Sequence, residues 1–356
     1  MIYMMLGLLI PIGLTSCYVY FFIKRFLTEF MHVEFSKRRK IILHGVTLVL
    51  SLPAVNVFGI YAIVYLHLLV ISMVLELINL VLRRYKWFRF GFGTGIFSLV
   101  IMLMIFGYGY YNINKVNETE YTLTSSKVDG LKILQITDLH MSNAIDQQEL
   151  KEYCNEMSKL EPDIVVLTGD IVDERTPLED MKAACEMLSK ISNKKGIYYV
   201  FGNHDPASYS THSQFNAADV EKEFVSHGVT VLKDQAVTVD DVTIVGRMDA
   251  SVDRSRMSSE ELLKGIDKDK YVILLDHQPL DIDKNASLGV DLQLSGHTHG
   301  GQLFPLREVQ TLFTNTLVYG KRTINDFTAI TSSGISAWGY PLRTEGKSEY
   351  VLITVE

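Results

Sequence analysis

The sequence predicts an α/β fold in which two packed sheets with helices outside, a four-layer α/β-β/α sandwich, follow an N-terminal four-helix transmembrane region. Three observations predict it. The apolar excess of the 356-residue chain lies before about residue 112. From residue 131 short β-rich apolar runs alternate with amphipathic helical segments, the pattern of a sheet covered by helices. Five polar clusters, finally, each end an apolar run: Asp138-Leu139-His140, Gly169-Asp170-Ile171-Val172-Asp173, Gly202-Asn203-His204-Asp205, His277 and Gly296-His297-Thr298-His299.

Residues 3–23, 41–75 and 90–114 run without a charge, and about 20 apolar residues cross a bilayer. The middle run is too long for one span. Pro53, Asn56 and Gly59 suggest a reversal within it, so four helices are expected, at about 3–23, 41–57, 60–82 and 91–112. Lys24, Arg25 and Lys37 to Lys40 lie between the first two, and Arg83, Arg84, Lys86 and Arg89 between the last two. Basic loops stay cytoplasmic, so a multi-pass protein of the cell membrane with an extracytoplasmic C-terminal domain is expected. With neither a basic n-region nor a cleavage site, the first run reads as a retained span.

The two halves differ in charge. Residues 1–114 hold 10 basic and 3 acidic residues, net +7, which leaves 24 and 38 of the chain's 34 and 41, net −14. An acidic domain argues against a non-specific nucleic-acid grip. It does not exclude anionic substrates, since bound divalent cations invert the local potential. Cys154 and Cys185 fall on apolar helical faces and read as buried small hydrophobes, with no spacing that indicates a disulfide.

After an expected linker at 113–130, residues 131–356 read as one domain. Lys132 to Thr137 is a strand; Gln147 to Leu160 is a helix with Leu150, Tyr153, Cys154, Met157 and Leu160 on one face; Asp163 to Thr168 is the next strand. Thr176-Pro177 looks like the cap and first turn of a helix burying Leu178, Met181, Cys185 and Leu188. Gly196 to Phe201 is a strand, and Asn216 to His227 a helix closed by Gly228. Residues 229–246 alternate as short strands, and Ser258 with Glu261 fits a capping box. Strands at 271–275 and 290–294 precede a strand-rich C-terminus. The polar clusters thus sit at strand ends, which converge at one sheet edge where ligands bind in α/β folds.

Two carboxylates, an amide oxygen and four imidazoles suffice for two metal ions sharing an anionic ligand, the apparatus of hydrolytic phosphoester chemistry. The series D-x-H, G-D-x-x-D, G-N-H-D, H, G-H-x-H over residues 131–355 resembles the calcineurin-like metallophosphoesterase superfamily. Gly300-Gly301-Gln302 resembles, more narrowly, its bacterial membrane-associated phosphodiesterase branch (YkuE- and YaeI-like).

The resemblance implies that Asp138, His140 and His299 bind one metal and Asn203, His277 and His297 the other, with Asp170 bridging. A metal-bridging hydroxide would attack phosphorus, and His204 would stabilise charge or protonate the leaving group. Asp173 and Asp205 would orient histidine side chains. Mixed nitrogen and oxygen ligands suit two divalent ions of Mn, Fe, Zn or Co. The substrate implied is a phosphoester, a diester or pyrophosphate-linked group rather than a phosphoprotein, with lipid-linked groups among those expected because the anchor holds the site near the bilayer. Extracellular nucleotides are an alternative substrate, and a catalytically silent receptor or scaffold an alternative role. Arg343 reads either as a phosphate contact or as a surface arginine. His212 and His227 read as exposed loop and helix-end residues, Glu76 and the histidines of the apolar half as bundle-facing or interfacial. The loops at 206–215, 249–258 and 302–316 carry no motif.

Overall fold

A computed structural model describes residues 2–55 and 59–356. The chain divides into two compact units, Met1–Tyr108 and Gly109–Glu356.

The first unit holds α1 (Ile2–Glu29), α2 (Lys37–Ser51), α3 (Ile60–Leu82), α4 (Lys86–Gly93) and the greater part of α5 (Ile96–Ile113). Four spans were expected. Among the described residues two helices, α3 and α5, are long and apolar enough to cross a bilayer. The span expected at 41–57 is corrected: α2 starts inside the basic run, capped by Ser36, and stops after 15 residues. At 1.5 Å per residue that is about 22 Å, short of a hydrocarbon core of about 30 Å. A 3₁₀ turn, Leu52–Val55, holds Pro53 at the reversal, while Asn56 lies outside the described residues. The run at 3–23 falls within α1, where the side chains of residues 3–11 are outside the described residues. Glu76 of α3 pairs with Arg25 of α1 at 2.7 Å, a bundle-facing placement.

The second unit contains two mixed six-stranded sheets. Its elements are β1 (Val116–Leu123), β2 (Leu131–Ile136), α6 (Gln147–Ser158), β3 (Ile164–Leu167), α7 (Leu178–Ser189), β4 (Ile197–Tyr199), α8 (Ala217–Ser226), β5 (Thr230–Val231), β6 (Gln235–Val239) and β7 (Val242–Gly246). There follow α9 (Ser259–Leu262), β8 (Tyr271–Leu275), α10 (Ile282–Ser287), β9 (Leu292–Ser295), α11 (Leu306–Phe313), β10 (Gly320–Ile324), β11 (Phe327–Thr331) and β12 (Ser348–Val355). The strand orders are β1-β12-β2-β3-β4-β5 and β10-β11-β9-β8-β7-β6. β2 to β5 run parallel, as do β7, β8, β9 and β11.

Strand alternation builds the layers. Leu134, Ile136, Val165, Leu167 and Tyr199 meet Leu150 and Met157 of α6, Met181 and Leu188 of α7, and Phe224 of α8 on the outer face of the first sheet. Ile133, Ile164, Val166 and Tyr198 point the other way, to Ile244, Ile273, Leu292 and Ile330 of the second sheet. Val245, Val272 and Leu274 bury Leu262 and Ile282 of the last layer. The result is helix, sheet, sheet, helix. Capping boxes Asp146/Glu149, Asn216/Asp219 and Ser258/Glu261 start α6, α8 and α9. The hydroxyl of Thr176 does not cap α7; it donates to the carbonyl of Met141. Cys154 and Cys185 are free and buried, and burial pushes the Cys154 thiol up to about 12.

Residues 113–130, expected as a linker, instead contain β1, which pairs in parallel with β12 from Val116↔Ser348 to Leu123↔Val355. As an edge strand it buries little beyond Leu123, so its sequence shows polar alternation rather than an apolar run.

Candidate functional site

The loops that carry the candidate metal ligands leave the C-terminal ends of the parallel strands β2, β3, β4, β8 and β9. Backbone bonds stitch them together. Asp138 N donates to Gly169 O and His140 N to Asp170 O, both at 3.0 Å, and Gly296 N donates to His277 O at 2.9 Å. The sheets are joined where His297 N donates to the Asp138 carboxylate at 3.0 and 3.1 Å. Two glycines make the approach possible. A Cβ on Gly202 would lie 2.2 Å from Asp170 Oδ1, and one on Gly296 would lie 2.1 Å from Asp138 Oδ2.

The side chains gather into two clusters. Asp138, His140 and His299 form one and Asp170, His277 and His297 the other, the ligand atoms of each within 4.8 Å of one another. His140 Nε2 and His299 Nε2 face each other at 3.2 Å, and Asp138 Oδ1 lies 3.4 Å from His299 Nε2. Asp170 stands between the clusters, Oδ2 being 3.2 Å from His277 Nε2 and 3.7 Å from His140 Nε2. Asn203 Oδ1 meets His297 Nδ1 at 2.8 Å, on the side of the second cluster. The six Asp and His residues of the two clusters, with Asn203 beside the second, thus lie together at one edge of the sheets.

The electrostatics fit cations. Asp138, His140, Asp170 and His277 are buried, and buried carboxylates need compensation by opposite charge or a metal. Burial alone would raise the Asp170 carboxyl, but His277, then His140 and His204, hold it well below the ordinary carboxylate range. His277 is held well above its usual value by Asp170 despite burial. Burial pushes His299 well down, helped by His140 and Arg343, and His297 down with help from His277. For His297 and His299 this favours the neutral imidazole, whose lone pair a metal requires; His277, paired with Asp170, would release its proton as an ion binds.

Backbone strain concentrates here as well. Asp138, His140, Asp170, His297 and His299 all have φ between +41° and +70°, a region that costs non-glycine residues of order 1 kcal/mol or more each. The loops hold it by dense hydrogen bonding. Asp205 accepts from the backbone N–H of Asp170, Ile171, Val172 and Gly202 at 2.7 to 3.1 Å. It therefore fixes backbone and does not orient a histidine as expected. Asp173 does sit beside a histidine, 3.6 Å from His140 Nδ1.

Several contributors carried no sequence signal. Glu174 accepts from or faces His204 Nδ1 with both oxygens at 3.1 Å. Asp276, beside His277, is held between Arg247 at 3.3 Å and Arg256 at 3.0 Å. A cavity of about 540 Å³ opens next to His204, walled by Glu174, Arg175, Asn203, Tyr209 and Trp338. Arg343 is neither a surface residue nor a phosphate contact: it is fully buried and donates to the carbonyls of His299, Ser333 and Ser336 at 2.6 to 2.9 Å. His212 and His227 are exposed.

Residues 131–301 match the family model described as calcineurin-like phosphoesterase. An uncharacterised metallophosphoesterase of Helicobacter pylori is 31% identical over 242 residues, covering 66% of this chain and 62% of its own length. The uncharacterised metallophosphoesterase YkuE of Bacillus subtilis is 31% identical over 203 residues, 54% of this chain and 68% of that protein. A Danio rerio transmembrane protein with metallophosphoesterase domain is 28% identical over 247 residues, 64% of this chain and 54% of that protein. The chain thus spans 62% of the length of the Helicobacter pylori relative and 54% of the Danio rerio one.

Proposed function

This chain belongs to the calcineurin-like metallophosphoesterase family, and from that premise we propose that it is a membrane-anchored, metal-dependent phosphoesterase acting on phosphodiester or pyrophosphate-linked groups. The observation that carries the reading is Asp170, whose one oxygen faces His277 and His140 of the two adjoining Asp/His clusters. Asp138, His140 and His299 would hold one divalent ion, and Asn203, His277 and His297 the other, with Asp170 shared. Ions held there supply charge neutralisation and an activated water for in-line attack on phosphorus.

The chain's own residues do the rest. Asp205 and Arg343 fix the loops that aim the ligands, and the Asp173 carboxylate stands 3.6 Å from His140 Nδ1. His204 is partly exposed, at the mouth of the cavity beside both clusters, with its backbone N–H bonded to Asp170 Oδ1 at 2.8 Å. It is placed to hold a proton for the leaving oxygen. Burial pulls its imidazole down, yet Glu174 and Asp170 outweigh this and raise it above the ordinary value. The cavity beside it has room for the leaving group.

α3 and α5 would anchor the domain. The basic residues Arg83, Arg84, Lys86 and Arg89 between them support a cytoplasmic loop and, with it, a domain on the outer face. Lipid head groups and envelope polymers are the phosphoesters nearest to such a site.

The test is hydrolysis of bis(p-nitrophenyl) phosphate by the purified full chain with added Mn²⁺, alongside metal analysis. Close to two ions per chain and metal-dependent turnover are expected; a chain that binds no transition metal and hydrolyses neither mono- nor diesters would refute the reading. His204→Ala should keep the metals while kcat falls by about 10²- to 10⁴-fold, the usual range for a lost general acid. Glu174→Gln should lower the pKa of His204. Because the protonated form is the one required, the alkaline limb of the kcat profile should move to lower pH, and an unmoved limb would separate Glu174 from that proton.

A further inference from the structure

The second unit carries an apolar surface that the metal clusters do not use. Between Gln302 and Thr314 the chain exposes Phe304, Leu306, Val309, Leu312 and Phe313, the last two at 78% and 83%. Every residue of α11 is at least partly exposed. Leu306, Val309 and Phe313 recur on one helical face with Leu312 beside them, whereas Arg307, Glu308 and Thr311 fall elsewhere. A helix normally turns such a stripe to a core, and a contiguous exposed patch of this kind marks an interaction surface.

The base of this helix is rigidly placed. Arg307 Nε donates to Gly300 O at 2.9 Å and its backbone N–H to Glu345 Oε2 at 3.0 Å. Phe304 N donates to Thr344 Oγ1 at 3.0 Å, and Glu345 N to Gln302 O at 3.0 Å. The same short segment, 342–346, receives the last turn of α5. Arg343 N donates to Gly109 O at 3.1 Å, and Asn112 Nδ2 donates to Arg343 O at 3.1 Å and Gly346 O at 2.7 Å. α5 is one of the two helices able to cross a bilayer, and its C-terminal turn is where such a helix leaves the hydrocarbon. One segment therefore ties that exit point to the base of α11.

We propose that α11 lies in the interface of the bilayer that α5 crosses, with Phe304, Leu306, Val309, Leu312 and Phe313 seated at the boundary of headgroups and acyl chains. The inference rests on reading α5 as a membrane span. Because the residues after 114 carry net charge −14 (24 basic, 38 acidic), apolar contact rather than attraction to anionic lipid drives the seating. Since Arg307 is bonded to Gly300, next to His299, the same contact holds one metal cluster at headgroup level and directs the site to phosphoesters carried by lipids.

The experiment uses the full chain with its three cysteines replaced, reconstituted in phosphatidylethanolamine/phosphatidylglycerol vesicles. Leu312→Cys carries an environment-sensitive fluorophore, and Lys222→Cys, at an exposed position of α8, serves as reference. Nitroxide on lipid acyl chains should quench the label at 312 at least about fivefold more than at 222, and aqueous iodide should quench it less, as for a side chain buried several ångströms into the interface. A chain that stays with the vesicles on flotation while iodide reaches both labels equally overturns the seating of α11 alone. A chain washed off by alkaline carbonate overturns the span and the inference together. In the double variant Leu312→Asp, Phe313→Asp, hydrolysis of soluble bis(p-nitrophenyl) phosphate should stay within about twofold while that of a bilayer-resident phosphodiester falls about tenfold, the apolar seat being lost. Equal rates on the bilayer substrate would overturn its role in substrate access. The labelling arm reads out whether or not the chain hydrolyses anything.

Discussion

Asp170→Asn should reduce the bound metal from two ions to one or fewer and lower kcat/KM by about 10³-fold or more, the several kcal/mol that a shared metal site supplies in the transition state. The substitution conserves shape. It removes the charge that holds His277 well above and is itself held well below its usual range. Asp170 Oδ1 receives the His204 N–H at 2.8 Å while Oδ2 faces His277 and His140. An asparagine oxygen placed to keep the first bond turns an NH₂ toward the two imidazoles, where a cation would have to sit. An asparagine flipped the other way sets NH₂ against the His204 N–H. Metal analysis and turnover should therefore fall together, while thermal unfolding of the metal-free protein shows a cooperative transition close to wild type. Full turnover with two ions bound would remove Asp170 from the shared position.

How much of this was legible beforehand depends on whether a residue's partners lie nearby in sequence. The metal-cluster residues stand at the ends of apolar strands, and strand ends of one sheet must converge, so Asp138, Asp170, His277 and His297 could be grouped from sequence alone. The layers were legible for the same reason: Leu150, Cys154 and Met157, or Ile133 against Leu134, carry the periods of helix and strand. β1 was not, because an edge strand that buries little has no apolar run, and its partner β12 lies more than two hundred residues away. The span count failed where charge and helix overlap. A run of uncharged residues from 41 suggested a helix start, but Ser36 caps α2 before Lys37, which uses its first turn on basic residues. Glu174 was missed because an acidic residue beside Asp173 has no periodicity to separate a ligand partner from a solvated one. The role of Asp205 is not legible from its motif, since nothing local shows that four backbone N–H groups converge on it.

Arg343 makes the sharpest case, and its replacement should act through stability and metal affinity rather than through substrate. Burial lowers the guanidinium to about 10, with Asp138 and Glu349 opposing, so it remains charged at neutral pH. Its Nη1 and Nη2 hold three buried carbonyls, those of His299, Ser333 and Ser336. Arg343→Ala leaves all three without that donor, and at about 1 to 3 kcal/mol for each unsatisfied buried group the loss should reach about 3 to 5 kcal/mol. In a domain of this size that lowers Tm by on the order of 10 °C. His299 is also one of the residues held at positive φ, +51°, and the 2.7 Å bond to its carbonyl is part of what keeps it there. Metal affinity at the Asp138, His140 and His299 cluster should therefore fall about 10- to 100-fold, as when partners of metal ligands are removed, while the Asp170, His277 and His297 cluster retains its ion. A purely structural role would lower Tm without separating the two affinities. Contact with phosphate would instead raise KM at saturating metal, and for a side chain with no exposed surface KM should stay near wild type.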